Sequence, residues 1–521
     1  MRLILLIAVG SSIIFLFAGN SAGADSNSRV LEIVVTSDLH GNLGDETNSF
    51  SPAGITTLVP LIHSLRQNNP NLILLDAGDT LNGDRLSYYM DKVMAHPVPP
   101  WPIIQLMNAL EYDAVVPGNH DFDWPASVFV RSIQMSQFPW ISANINNHSI
   151  ENLFLAPYRI IQQQGIRIGI LGLTTPGVPL WVDTSNLGTL VVDDMVSAAR
   201  HWSQVIKPQV DILIGLFHSG EEADYDYQES LLKQIPMPNA SGIIADSISD
   251  FDLIIAGHTH KIFPRTQKSM PGSFIMPLIL PGSHGEGLMD IQLHLKFING
   301  RWNVTQTMAE FKRPLKKSLT DQSNKTLAYL DPWMKGVNQY FDAKTAIQFV
   351  KDPTKIELES CGRQLSYDAL VYFEGNGDAA VLSNWKWNRM PKKIAGIYLS
   401  RKHLFDWMPY FNKMVRASIS GSQLIMLKRL ERKKQKRPGR QIYIVPDLDQ
   451  KKLVADQFYS IWFTNYHWNG GSGITLESLI EPEQKRNLSQ QILQEYIFYY
   501  LRKFPEQLPE ICKGFLKSVG D

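Results

Sequence analysis

One pattern constrains the fold of this chain more than any other. From residue 30 to about 300, short apolar, β-branched runs each end in a polar, glycine-containing cluster. The runs are Leu31–Thr36, Leu72–Leu75, Ala114–Val116, Ile168–Leu173, Ile212–Phe217, Leu253–Ala256 and Leu278–Leu280. Runs that are apolar at every position, rather than at alternate ones, belong to strands covered on both faces. Between several of them lie stretches of helical character, Ile55–Arg66 and Met195–Ile206. Buried strands alternating with helices predict an α/β layered domain. On such folds functional groups gather beyond the carboxyl ends of the strands, and the polar clusters stand at those ends.

At 521 residues the chain is too long for one core. A first domain is predicted over 30–310. The segment 311–350 changes character: FKRPLKKSLTDQSNK is charged and carries a proline, and Thr326–Phe349 reads as helical. It is predicted to link the first domain to a second over 351–521, where strands and helices mix and Gln490–Lys503 has helical spacing with Leu, Tyr and Phe on one face. The basic run ERKKQKRPGR (431–440) reads as a solvated helix end and loop. Lys plus Arg number 50, as do Asp plus Glu, so no bulk basic field exists to bind nucleic-acid polymers or anionic membranes.

The N-terminus reads as an export signal over 1–24. Arg2 is followed by the apolar stretch Leu3–Phe17, then by the small-residue site Ser21-Ala22-Gly23-Ala24, with Asp25 as the mature start. The stretch would also just suffice as a retained anchor, but the small-residue site and the polar residues after it favour cleavage. The mature protein is expected in the periplasm or outside the cell, with no membrane association. The two cysteines, Cys361 and Cys512, cannot build a disulfide framework or a thiolate metal site. Export permits one bridge between them. Nothing in the sequence brings them together, and a bridge is the less favoured state.

Five motifs carry the chemistry: SDLHGN (37–42), AGDT (77–80), PGNHDFD (117–123), FHSG (217–220) and AGHTH (256–260). Each follows directly on an apolar run. Together they offer Asp38, His40, Asp79, Asn119, His120, His218, His258 and His260. Asp38 and His40 are two apart in an extended segment, so they can point to one side, and His258 and His260 repeat that spacing. Imidazoles, carboxylates and an Asn carbonyl suit manganese, iron, zinc and similar divalent ions. Any one motif alone is ordinary turn or strand-end chemistry. Five at successive strand ends are not, and they supply donors for two ions, with Asp79 the candidate to bridge them. His284, in PGSHGEG, follows another strand and either lines the site or packs as a structural histidine. Asp121 reads as a solvated turn carboxylate without a role.

This set resembles the calcineurin-like metallophosphoesterases over roughly residues 30 to 290. The GNHDFD form, with a large second domain following, looks like the 5′-nucleotidase and 2′,3′-cyclic phosphodiesterase branch. The resemblance implies a four-layer α/β/β/α sandwich followed by a smaller α/β domain. It implies one ion on Asp38, His40, Asp79 and His260, and another on Asp79, Asn119, His218 and His258. His120 is similar to the family's catalytic histidine and Asp123 to the carboxylate that orients it. Some exported relatives carry Gln where His260 stands. Two such ions clamp a phosphoryl group and activate water for attack on it, while an imidazolium protonates the leaving oxygen.

In the family the second domain binds the nucleoside with arginines and two stacking rings. LSNWKWNR (382–389) resembles the family's Asn-Gly-Gly-Gly-Ile-Arg segment and places Arg389 at the phosphate, although Trp385, Lys386 and Trp387 replace the glycines. MPYFNKMV (408–415) resembles Pro-Phe-Gly-Asn and places Tyr410 and Asn412 on the substrate. TNYHWNGGSG (464–473) resembles the segment ending Gly-Gly-Asp-Gly. It makes Tyr466 the second ring and puts Ser472 where the family has an aspartate for the sugar hydroxyls. Lys351, Lys355 and Arg363 are further matches to the family's arginines. Two rings on separate loops suit a planar base, at about 1–3 kcal/mol per stack. Loss of the aspartate weakens recognition of a ribose diol.

The expected activity is metal-dependent hydrolysis of a small phosphate ester, a nucleotide above all, with two ions of manganese, zinc, iron or cobalt. The alternatives are a thiosulfohydrolase-like enzyme of the same branch and an exported nucleotide-binding protein without catalysis.

Overall fold

A computed structural model of the chain describes residues 27–44, 54–83, 85–92, 101–147, 155–182, 184–222, 230–231, 234–265, 276–314, 321–375, 377–383, 393–408, 413–434, 442–447, 452–464, 467 and 485–519. The predicted export signal and most of the basic run lie outside them.

The apolar runs form two sheets. One has five strands in the order Arg301–Lys312, Leu288–Ile298, Ser28–Thr36, Ile73–Asp76, Ala114–Val115. The other has six: Ile262–Arg265, Leu278–Pro281, Leu253–Ala256, Ile212–His218, Ile166–Thr174, Tyr158–Gln163. Side chains alternate across a strand, and both faces are apolar. Ile33, Val35, Ile73 and Leu75 of the first sheet share a core with Ile168, Ile170, Ile214 and Leu216 of the second. The opposite faces bury against helices. Val34, Leu74 and Val115 pack with residues of Ile55–Asn68 and Pro102–Ala109, while Leu171, Leu173 and Leu213 pack with Met195–Ile206 and Ser241–Ser247. The result is a helix, sheet, sheet, helix sandwich.

The helix Met195–Ile206 begins where its cap dictates, with the Asp194 carboxylate accepting from Ser197 N at 2.8 Å. The antiparallel pair Leu288–Ile298 and Arg301–Lys312 is not among the expected strands, although its turn is marked. Asn299 and Gly300 take φ of 51° and 82°, the conformation an Asn-Gly pair adopts readily in a two-residue hairpin.

After the first sheets come the helices Asp321–Leu327 and Asp331–Phe341. The helical reading of Thr326–Phe349 ends there. Lys344–Phe349 is a strand, burying Thr345, Ile347 and Phe349 on one side, and it pairs with Tyr398–Ser400 and Leu516–Ser518. Alternating, partly β-branched residues favour a strand once a partner edge exists. A second sheet of the C-terminal half runs Ile442–Val445, Ala379–Ser383, Phe458–Thr464, Lys413–Ser420, Lys485–Ile492. The helix Lys355–Glu374 starts at a capping box between Thr354 and Glu357 and shares a core with Leu493–Lys503.

That core corrects one expectation. Cys361 and Cys512 are joined by a disulfide, with Cα atoms 5.1 Å apart and both side chains buried. Their separation of 151 residues concealed a meeting that helix packing enforces. Between the two halves, the Arg85 guanidinium lies over Phe341 at 5.8 Å and 3.9 Å from Asp406, and Tyr88 meets Phe405 edge-on at 4.9 Å.

Replacing both cysteines by serine is expected to lower the stability of the C-terminal half by roughly 2–4 kcal/mol, the usual scale for removing a cross-link. Denaturant unfolding followed by fluorescence checks this, and an unchanged midpoint would contradict it.

Candidate metal centre

The five motifs are loops at one edge of both sheets, and backbone hydrogen bonds lace them together. In the parallel register Thr36 stands beside Asp76, so two strands end level. The buried Asp76 carboxylate then shapes AGDT, accepting from Thr36 Oγ1 at 2.6 Å, Thr80 Oγ1 at 2.8 Å and Gly78 N at 3.0 Å. Asp38 N donates to Gly78 O, and His40 N to Asp79 O, at 2.8 and 2.7 Å. The solvated turn carboxylate expected at Asp121 is instead 1% exposed. It accepts from Leu81 N and Gly118 N, both at 2.8 Å, and so ties AGDT to PGNHDFD.

All seven predicted ligands converge. Asp79 Oδ2 lies 3.3 Å from His218 Nε2 and 3.9 Å from His40 Nε2. Asp38 Oδ1 lies 3.4 Å from His260 Nε2, which is 3.0 Å from His40 Nε2. His218 Nε2 is 3.2 Å from Asn119 Oδ1. Donor atoms of Asp38, His40 and Asp79 lie within 4.8 Å of one another, as do those of Asp79, His218 and His258. Asp79 belongs to both groups. Two backbone carbonyls orient the rings. His40 Nδ1–H donates to Asn82 O at 2.8 Å and His218 Nδ1–H to Ala77 O at 2.7 Å, which turns each Nε2 lone pair inward.

His120 stands beside this group, its ring centroid 5.3 Å from that of His40. Its N–H donates to Asp79 Oδ1 at 2.7 Å, and its Nδ1 is 2.8 Å from Asp123 Oδ2. Asn82 Nδ2 donates to the same Asp123 oxygen at 2.7 Å. Asn82 thus touches both His40 and the His120–Asp123 pair, and its place two residues after AGDT was the available signal. Trp181, with its ring 4.6 Å from that of His258, has no such sequence mark.

The centre sits on unfavourable backbone. Of the ten non-glycine residues with positive φ among those described, six are Asp38, His40, Asp79, His258, His260 and His284. A left-handed L-residue costs about 1–2 kcal/mol, and such residues persist where the surroundings over-determine them. Gly118 shows how tight the surroundings are, since a Cβ there would lie 2.1 Å from Asp79 Oδ1.

The electrostatics call for cations. Asp38, Asp76, Asp79 and Asp121 are all at most 1% exposed. The ion pairs described for Asp38 and Asp79 are with histidines alone. Burial pushes Asp38 up to about 7, Asp76 to about 6 and Asp121 to about 8. Burial also works to raise Asp79, but His218, His120 and His40 outweigh it and hold that carboxyl well below its ordinary value. Burial lowers His40 to about 4 and His258 to about 3, and takes His260 well down, so these imidazoles stay neutral. At His218 burial is overridden by Asp79 and Asp38, which raise it to about 9. Neutral imidazoles and dense carboxylates, packed with their donor atoms together, fit divalent metal ions.

Arg389, Tyr410, Asn412, Tyr466 and Ser472 lie outside the described residues. Lys351 pairs with Glu357 and Lys355 with Glu359, at 3.4 and 3.7 Å, and Arg363 lies over the Tyr443 ring at 4.0 Å.

Fold and donor set together suit a centre for divalent metal ions. Residues 31–262 match the model of the calcineurin-like phosphoesterase family. Over 307 residues the chain is 30% identical to the trifunctional nucleotide phosphoesterase protein YfkN of Bacillus subtilis, covering 53% of this chain and 20% of that protein. It is 28% identical over 335 residues to the 2′,3′-cyclic-nucleotide 2′-phosphodiesterase/3′-nucleotidase of Yersinia enterocolitica, covering 60% of this chain and 50% of the relative. The chain therefore spans half or less of these two relatives. The 5′-nucleotidase precursor of Thermus thermophilus shares the fold, with a TM-score of 0.66 at 19% identity over 91% of this chain and 97% of that one. Among the described residues no helix is long and apolar enough to cross a membrane.

Gly118→Ala is expected to displace Asp79, cutting bound metal to less than half and hydrolytic activity by about a hundredfold, the scale of a 1 Å misplacement. Metal analysis of the purified variant by mass spectrometry checks it; full metal content would contradict it.

Proposed function

We propose that the chain is an exported hydrolase of small phosphate esters, nucleotides foremost, acting at a dinuclear centre. The observation that carries this reading is the convergence of seven donors on two overlapping groups that share Asp79. In this reading Asp38, His40, Asp79 and His260 hold one divalent ion, and Asp79, Asn119, His218 and His258 hold the other. Manganese, zinc, iron and cobalt all suit these donors. When bound, such a pair supplies a clamp on the phosphoryl oxygens and a lowered pKa for water.

The protein's own groups do the remainder. Asp123 holds Nδ1 of His120, so that Nε2 is the nitrogen offered to the leaving oxygen. As water adds to phosphorus and the ester P–O bond breaks, the imidazolium gives its proton to the departing alkoxide. Asn82 fixes Asp123 and so positions the ring. The part-exposed position of His120, at 31% of its side chain, leaves it reachable from solvent, while Asp38, His40, Asp79, Asn119 and His218 are buried. Nucleotide choice is assigned to the second domain through Arg389, Tyr410, Asn412, Tyr466 and Ser472. The resemblance to nucleotide-hydrolysing relatives supports this assignment.

The test is turnover by purified protein with manganese, cobalt or zinc, first on bis-p-nitrophenyl phosphate, then on 5′-, 3′- and 2′,3′-cyclic nucleotides. Chelation is expected to abolish activity and added metal to restore it. His120→Ala is expected to keep both ions and lose about a hundredfold or more in kcat, the scale of an acid catalyst. Bound metal without turnover would instead indicate a binding protein. Hydrolysis of the generic ester alone would reject nucleotides as substrates.

A further inference from the structure

The loop after strand Leu278–Pro281 brings another histidine to the same edge. His284 N donates to Asp38 O at 2.8 Å, and Asn42 Nδ2 donates to His284 O at 3.0 Å. These bonds fix the residue's backbone against the first ligand motif. Its ring centroid is 5.1 Å from that of His40 and 5.1 Å from that of His260. The donor nitrogens of His40, His260 and His284 all lie within 4.8 Å of one another.

The backbone bonds do not require a histidine, since any residue makes them. Nor does the φ of 55°, which glycine or asparagine adopts at lower cost. What distinguishes histidine here is a ring nitrogen directed at two other ring nitrogens. Imidazole lone pairs that face one another repel, and a shared cation accepts all three at once.

We propose that His284 is an additional ligand to the ion on Asp38, His40, Asp79 and His260. The proposal rests on the dinuclear reading above. Ser283 Oγ lies 2.9 Å from His284 Nδ1, so the nitrogen facing the ion is Nε2. The two ion positions then differ in chemistry. With the shared Asp79 counted in each, one has three imidazoles and two carboxylates, the other two imidazoles, a carboxylate and an amide oxygen. Imidazole-rich sites favour zinc, cobalt and iron, whereas oxygen-rich ones suit manganese and magnesium. The His284 side is accordingly the one selective for zinc or cobalt.

The experiment uses the full chain without substrate. Metal-free protein is titrated with Co(II) while its visible absorption is recorded, and zinc and manganese affinities are obtained by competition. The variants are His284→Ala and His284→Asn; asparagine tolerates the left-handed backbone and keeps the loop bonds. Wild type is expected to bind two ions. In both variants one of the two is expected to weaken by about tenfold to a hundredfold, on the scale known for altered metal shells. The cobalt bands should change, and the zinc preference of that position should shrink. Folded variants with wild-type affinities and an unchanged cobalt spectrum would overturn the proposal, whatever happens to turnover. Wild-type protein that binds no pair of ions would overturn the dinuclear reading itself, an outcome separate from that one.

Discussion

The buried carboxylate of Asp79 is the charge around which the rest of the centre is arranged. A carboxylate inside an apolar sandwich is costly unless paired. Asp79 lies within 4 Å of His40 and His218, accepts the His120 N–H and is one residue from a glycine with positive φ. Asp38, Asp76 and Asp121 add three more buried acids nearby. Burial raises those three acids, and a divalent ion beside them would favour their ionised forms. The inward-turned imidazoles and the carbonyls that orient them suit such ions.

Holding the centre demands a scaffold that resists its own strain. Two faces of each sheet are buried, one against the other sheet and one against helices, so the strand ends cannot relax toward solvent. The left-handed residues sit on the loops that leave those ends, cross-linked by Asp76 and Asp121. Neither acid ranks among the predicted ligands. Asp76 accepts from Gly78 N and two threonine hydroxyls, Asp121 from Leu81 N and Gly118 N, and the two acids fix the loops that carry the candidate ligands.

The C-terminal half is built differently, from a three-stranded and a five-stranded sheet with helices packed on them and a buried disulfide. It meets the first half through Arg85, Tyr88, Phe341 and Phe405. The resemblance that assigns nucleotide recognition to this half rests on Arg389 and its companions. Those segments depart from the family at Trp385, Trp387 and Ser472. The chemistry is thus supported by the site's own geometry, while the choice of substrate is supported by resemblance alone.

By itself the sequence determined the elements whose signal is local. Seven apolar runs became strands, Met195–Ile206 became a helix with its own cap, and the polar clusters sat beyond strand ends. The candidate ligands were legible for the same reason, because each motif carries its donors within a few residues of a strand. The Asn299-Gly300 hairpin was equally local and lay in plain view. Tertiary structure alone decided which distant groups meet: Cys361 with Cys512, Asp121 with Leu81, Asn82 with Asp123, and His284 with His40 and His260. Local pattern records which face of a strand or helix is apolar. It carries no information on which loops the packing of two sheets will bring to one edge, and the candidate metal centre is located at that edge.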